Sequence, residues 1–355
     1  MSGARVVVVA QAFKETLTPD EVARALEVAV RGAGLDPVVV CGSDGGDGLL
    51  DALQGLLCRR TDHAASDPLG RPIRVQVGWL DGETAVIESR LVCGLGLLAT
   101  SERDPLQATT RGLGLLIAEV AAAGAQTVYV GLGGSATMDG GVGMARAWGF
   151  VPRDVSGREL DEGGGALPEL ERIDVGERPA VRLVGLCDVR SPLTGPRGAR
   201  LYARQKGAAP DAEDTLAAGL ERLVRVTAGS ELAGRPGAGA AGGVGFGLLH
   251  FGMGELEAGA AWVLGRVGFD ELLEGAAMVV TGEGAFDGTS LEGKLTGEVM
   301  SRARAAAVPA VLLAPQASDV PEGVVVETGG GRWSAADLAA RASGGIARAL
   351  RLLAQ

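Results

Sequence analysis

The chain has 355 residues, too many for one ordinary hydrophobic core, so two domains are expected. Its apolar fraction of 46% can fill both, and a formal net charge of -11 argues against nucleic acid or an anionic membrane as the main partner, since both require a basic footprint. An anionic substrate would have to be met by a few locally placed cations.

Taken in chain order, residues 5–10, "RVVVVA", form a continuous β-branched run that suits a strand covered on both faces. The next segment, "TPDEVARALEVAVRGAG", predicts a helix. Thr18 and Glu21 make a capping box, Pro19 takes the first turn, and Val22, Leu26, Ala29 and Val30 form an apolar stripe that Gly32 and Gly34 end. "DPVVVCG" predicts a second strand, followed by the loop "GSDGGDG" and the helix-like "LLDALQGLL". This βαβα opening predicts a parallel sheet. From about residue 65 the pattern changes: "DPLGRPIRVQVGWLDGETAVIES" alternates and carries turn signals, as antiparallel strands would.

Helix and strand alternate again with helix "TTRGLGLLIAEVAAAG", strand "TVYVG", helix "VGMARAWG" and strand "VRLVGLCDV", and "DAEDTLAAGLERLVRVTA" is helical. From about 275 come three more buried-type runs, "AAMVVTG", "VPAVLLA" and "GVVVETG". Because the opening strands need sheet partners, residues 1–64 and 275–355 are expected to share one α/β domain, with 65–274 inserted as a second. Both are expected to have mostly parallel sheets with flanking helices.

The apolar run in "MSGARVVVVAQAF" is too short for a signal sequence, and no later run approaches the roughly 20 residues of a membrane span. A cytoplasmic protein with no membrane partner is expected, its oligomeric state open, a homo-oligomer included. Cys41, Cys58, Cys93 and Cys187 are widely spaced with no CxxC pattern, which favours small buried apolar residues over metal or redox sites. Basic charge is carried by 30 Arg and only three Lys, namely Lys14, Lys206 and Lys294. A compact ammonium is not interchangeable with a planar guanidinium, so the surviving lysines are candidates for chemistry, against the plainer reading of three solvated side chains.

Several loops stand where anions bind. "GSDGGDG", holding Gly45 and Gly46, lies between a strand and a helix; Asp44 and Asp47 there could bind Mg²⁺ or cap the helix. "GLGGSATMDGG" has the same context, with Gly133 and Gly134 permitting close backbone approach and Ser135 and Thr137 adding hydroxyls; a tight turn without a ligand is the alternative. "PGAGAAGG" contains GxGxxG but follows no strand, which excludes a dinucleotide fingerprint. "CDVRSPLTGPRGA" puts Asp188 at a strand's C-terminal end, with Arg197 and Lys206 after it, and "TGEGAFDG" does the same for Glu283 and Asp287. "GTSLEGKL" nearly matches a Walker loop, but Leu295 stands where a Mg²⁺-binding hydroxyl is needed and "TGEGAF" separates it from the strand. Anion-cradling loops, selected lysines and strand-end carboxylates, with little His or Cys chemistry, suit phosphoryl transfer.

These segments, together with "FKETLTPDEVARAL", "DPLGRP" and "QKGA", occur in the order and spacing of the bacterial glycerate kinases of the two-domain α/β type, which the chain resembles over about residues 5–315. The resemblance implies ATP-dependent phosphorylation of D-glycerate to 2-phosphoglycerate with Mg²⁺. It implies Lys14, Asp188, Lys206 and Lys294 as catalytic residues and Gly45, Gly46, Gly133, Gly134, Ser135 and Thr137 as the ATP and phosphate cradle. Arg197 and Asp44 become substrate contacts, and Glu283 and Asp287 metal ligands. The chain departs from the family's usual pattern with Gln11 and Ala12 in place of Asp-Ser, Cys93 in place of Ser, and Met138 and Ser191 in place of Asn. Ala285 replaces Arg, Thr289 replaces Gln and Pro315 replaces Gly. A kinase for another small hydroxy acid and a non-catalytic ligand-binding relative are the alternatives these departures leave open.

Overall fold

The computed structural model of the chain describes residues 3–13 and 16–354. In chain order its strands are β1 (Arg5–Ala10), β2 (Asp36–Cys41), β3 (Arg59–Ser66), β4 (Pro72–Trp79), β5 (Thr84–Glu88), β6 (Thr127–Gly131) and β7 (Val151–Arg153). They continue with β8 (Arg172–Asp174), β9 (Arg182–Cys187), β10 (Glu255–Ala258), β11 (Met278–Gly282), β12 (Ala310–Leu313) and β13 (Val325–Glu327). The chain packs as two compact units. One takes the residues up to Asp44, Asp51–Leu53 and those from Gly259 onward; the other takes Gly45–Leu50 and Gln54–Ala258.

The first unit is built on a five-stranded sheet in the order β13-β12-β11-β1-β2, parallel throughout. Val6 and Val8 point to one face and Val7 and Val9 to the other, and all four are buried. That is why β1 reads as an unbroken apolar run: a parallel strand covered on both sides has no solvent face to mark with polar residues. One face is covered by the helices Pro19–Gly32 and Ala335–Leu353, through Leu26, Val30, Leu338 and Ile346. The other is covered by Gly259–Arg266, Phe269–Leu273 and Leu295–Ala305, through Leu264, Phe269 and Val299. The Thr18–Glu21 capping box forms as its spacing implies.

The second unit holds a six-stranded sheet in the order β10-β9-β6-β5-β4-β3. It is parallel from β10 to β5, while β4 runs antiparallel to both of its neighbours. Strands β7 and β8 form a separate antiparallel ribbon. Leu113, Leu116 and Ile117 of the helix Arg111–Ala122 and Leu216, Leu220 and Leu223 of the helix Pro210–Val226 fill the core beside the sheet.

Three expectations shift. Residues 259–273, placed in the inserted domain by sequence, pack on the first sheet because Ala260, Leu264, Phe269 and Leu273 bury their apolar stripe there. The second unit also begins before residue 65, since β3 starts at Arg59 and pairs along its whole length with β4. Finally, "LLDALQGLL" forms only the short helix Leu49–Ala52 and a 3₁₀ turn at Gln54–Leu56. Among the described residues no helix is long and apolar enough to cross a membrane.

Candidate functional site

In the second unit, β5, β6 and β9 end side by side, and the loops that leave their C-terminal ends carry the predicted cradle. After β6 the chain runs through Leu132–Gly141 before the helix Val142–Arg146. Its glycines first serve the meeting of two loops. A Cβ on Gly131 would stand 2.5 Å from the Gly45 carbonyl oxygen, one on Gly133 would stand 3.0 Å from Gly46 Cα, and one on Gly134 would stand 2.8 Å from Asp47 Oδ1. Only a residue without a side chain lets two backbones come this close.

The glycine-rich stretch whose purpose the sequence left open braces the same loop. Ala241, Gly242 and Gly243 are all left-handed, with φ of 52°, 70° and 94°. The Gly140 N–H donates to the Gly242 carbonyl at 3.2 Å, and a Cβ on Gly242 would fall 1.8 Å from the Thr137 carbonyl oxygen.

Lys206 enters this loop from the 3₁₀ turn Arg204–Lys206. Its Nζ donates to the Ser135 carbonyl at 2.7 Å and to Ser135 Oγ at 2.6 Å, and the residue is buried. Burial pulls its ammonium down to about 7, against the opposing influence of Cys93 and Asp139. Thr137 Oγ1 is buried in the same loop without a hydrogen-bond partner among the described residues.

Two buried carboxylates that the sequence reading passed over hold these loops in place. Asp139 accepts from the Thr110 N–H and Oγ1, both at 2.8 Å, from the Gly141 N–H at 3.0 Å and from the Gly143 N–H at 3.1 Å. Burial pushes its carboxyl up, and these donors offset part of the rise. Glu88, at the end of β5, accepts from the Leu50 N–H at 2.8 Å and from Arg90 Nε at 2.5 Å. Arg90 in turn lies 3.7 Å from Asp47. The signal for Asp139 was already inside "GLGGSATMDGG"; the signal for Glu88 was only its position at a strand end.

Asp188 follows β9 directly and is half-buried, next to the loop after β6, because Leu132 pairs with Leu186 at 2.8 Å. Arg197 is exposed in the turn Gly195–Gly198. Cys93 and Cys187 are buried as expected and burial raises both thiols, Cys187 to about 12, but Cys58 is exposed and Cys41 only half-buried.

In the first unit, Gln11, Gly42 and Glu283 follow the aligned ends of β1, β2 and β11, with half-buried Asp44 two residues on. Glu283 Oε1 is buried with no hydrogen-bond partner among the described residues, and burial raises its carboxyl despite the nearby Ser290 and Thr296 hydroxyls and the Lys294 charge. Asp287 is exposed and caps the 3₁₀ turn Gly288–Leu291: its Oδ1 accepts from the Thr289 N–H at 2.8 Å and Oγ1 at 2.6 Å, which lowers its carboxyl. Lys294 Nζ donates to the same Thr289 Oγ1 at 2.9 Å. This segment is a capped turn leading into the helix Leu295–Ala305, not a Walker loop.

Among the described residues no three His, Cys, Asp or Glu side chains gather as a metal cage. Mg²⁺ binds through one or two carboxylates plus phosphate and water, and the unpartnered Glu283 oxygen fits that duty, whereas Asp287 Oδ1 is already engaged. Lys14 lies outside the described residues.

The profile of the glycerate kinase family matches residues 6–354. The chain is 38% identical over 325 residues to the glycerate kinase of Bacillus subtilis (strain 168), covering 87% of this chain and 84% of that protein. It is 36% identical over 327 residues to the glycerate 2-kinase of Escherichia coli (strain K12), covering 89% and 86%. A Salmonella typhimurium LT2 protein, solved as a candidate glycerate kinase 2, superposes with a TM-score of 0.77 at 31% identity over 99% of both chains. Matched along almost its whole length in both sequence and fold, the chain belongs to the glycerate kinase family.

Proposed function

We propose that this chain is a cytoplasmic kinase that transfers the terminal phosphoryl group of ATP to D-glycerate, giving 2-phosphoglycerate and ADP. The observation that carries the reading is the Lys206 side chain held on Ser135 within a glycine-rich loop at the C-terminal edge of a parallel sheet. Such an edge gathers backbone N–H groups and a cation where phosphate oxygens bind. The E. coli relative is named for the 2-position, which supports that product.

In this reading Gly133, Gly134, Ser135 and Thr137 cradle phosphate with Gly45 and Gly46 behind them, and Lys206 with Lys14 and Lys294 offsets the charge that develops in transfer. Asp44 and Arg197 orient the acid. A substrate hydroxyl oxygen forms the new bond to phosphorus, the bond from that phosphorus to the bridging oxygen breaks, and ADP leaves with the electron pair. Asp188 takes the hydroxyl proton. Glu283 would hold Mg²⁺, which supplies charge neutralisation at the phosphate oxygens, while Asp287, named with it from the sequence, stays on its Thr289 contacts.

A coupled ATP-consumption assay with D-glycerate and Mg²⁺, with the product read by phosphorus NMR, tests this. A 2-phosphoglycerate resonance is expected. Folded protein that turns over neither glycerate nor any related hydroxy acid would overturn it.

A further inference from the structure

Gln11 stands at the C-terminal end of β1, beside Glu283 at the end of β11. Its Nε2 donates to the Gly282 carbonyl at 3.1 Å and to Thr296 Oγ1 at 2.6 Å. The Gly282 oxygen can only accept, so chemistry fixes the nitrogen on that side of the amide. A carboxamide has two N–H donors, and both are used. The side chain's remaining polar atom is Oε1, which makes no hydrogen bond among the described residues.

The locked amide therefore presents an acceptor only. A carboxylate placed there would meet a like partial charge, whereas a hydroxyl would donate to it. Thr296 is fully buried in the first turn of the helix Leu295–Ala305, so the amide is clamped between a strand end and a helix start and cannot turn over without losing the Gly282 bond. Ala12, the next residue, offers no polar group of its own.

We infer that Gln11 is a specificity-determining residue: its Oε1 accepts a hydrogen bond from the hydroxyl of the acid that is not phosphorylated. This rests on the reading of the chain as a kinase acting on glycerate. It makes the protein select a dihydroxy acid over a monohydroxy acid, by a contact that leaves an unpaired acceptor when the second hydroxyl is missing.

The test compares wild type with Gln11→Met, which keeps the length and removes the acceptor. Two constants are measured, KM for D-glycerate and the competitive inhibition constant of D-lactate, which lacks the 3-hydroxyl. Gln11→Met is expected to raise KM for glycerate about tenfold and to leave the lactate constant within about twofold. A purely structural role would move both together, and that result, or no change in either, overturns the inference.

Should Gln11→Met fold poorly by thermal unfolding, wild type decides with 3-O-methyl-D-glycerate, whose ether oxygen cannot donate. It is expected to bind at least about tenfold more weakly than glycerate, as lactate does. Binding as tight as glycerate's would overturn the inference. Wild type with no glycerate turnover would instead refute the kinase reading itself.

Discussion

The Lys206 side chain donates to both the carbonyl and the hydroxyl oxygen of Ser135, at 2.7 and 2.6 Å, from a site only 4% exposed. A buried amine of this kind works against folding whenever it carries a proton, and two hydrogen bonds to neutral oxygens return only part of that cost. Its retention is understandable if a polyanion supplies the missing counter-charge.

Lys206→Met is accordingly expected to lower kcat/KM by at least about 100-fold while leaving a folded protein. The stability effect has a definite pH dependence. The amine binds its proton with a value of about 7 in the folded chain, against 10.5 as its ordinary value. Below pH 7 both states are protonated and the full penalty applies. As pH rises from 7 toward 10.5 the folded amine is neutral while the unfolded chain still holds the proton, so the penalty fades. Wild type should gain ~3 kcal/mol relative to Lys206→Met between about pH 7 and 10. Denaturant unfolding of both proteins at the two pH values measures this, and a constant difference would show that the amine does not titrate there.

Asp139 gathers four donors from three separate backbone positions and one hydroxyl, so its removal should be felt as a loss of loop geometry. Asp139→Ala leaves the Thr110, Gly141 and Gly143 N–H groups buried without partners and is expected to cost about 3 kcal/mol. Asp139→Asn keeps one acceptor oxygen and should cost less than half of that. Urea midpoints for the two variants give the comparison.

Two glycines with similar left-handed backbones should respond very differently to alanine. At Gly48, φ is +78° and nothing lies within 4 Å of the added Cβ. At Gly242, φ is +70° and the Cβ would fall on the Thr137 carbonyl. Gly48→Ala is expected to cost about 1 kcal/mol from conformation alone, and Gly242→Ala more than about 3 kcal/mol because the cradle loop must move as well. Thermal unfolding separates them.

The contrast also shows what a sequence can disclose. β1 and the helix Pro19–Gly32 were legible because their signals are local: a β-branched run buried on both faces, and a capping box at fixed spacing. β3 and β10 were missed because they are the sheet's edges, where Arg59, Arg60, Asp62, Glu255 and Glu257 replace the apolar pattern. The roles of Asp139 and Glu88 were hidden for a different reason. The contacts that tie them to other segments include backbone N–H groups 29 and 38 residues away, and a backbone amide leaves no mark in the amino-acid code. Gln11 was visible as a departure from the family pattern, but the two bonds that lock its amide reach 271 and 285 residues along the chain.

Glu283 and Asp287 were grouped by sequence as metal ligands, and their surroundings divide them. Glu283 keeps a buried carboxylate oxygen with no donor among the described residues, while Asp287 is exposed and spends an oxygen on the Thr289 N–H and hydroxyl. Glu283→Gln keeps the shape and removes the charge, so it should raise the Mg²⁺ concentration needed for half-maximal activity by at least about tenfold. Asp287→Ala removes a cap, so it should cost about 1 kcal/mol of stability and change the Mg²⁺ requirement far less. Magnesium titrations of activity, paired with thermal unfolding in the absence of metal, distinguish the two roles. Equal Mg²⁺ shifts for both variants would mean that Asp287 releases its Thr289 contacts and joins the ion. A stability loss confined to Asp287→Ala would leave Glu283 as the carboxylate that the ion engages.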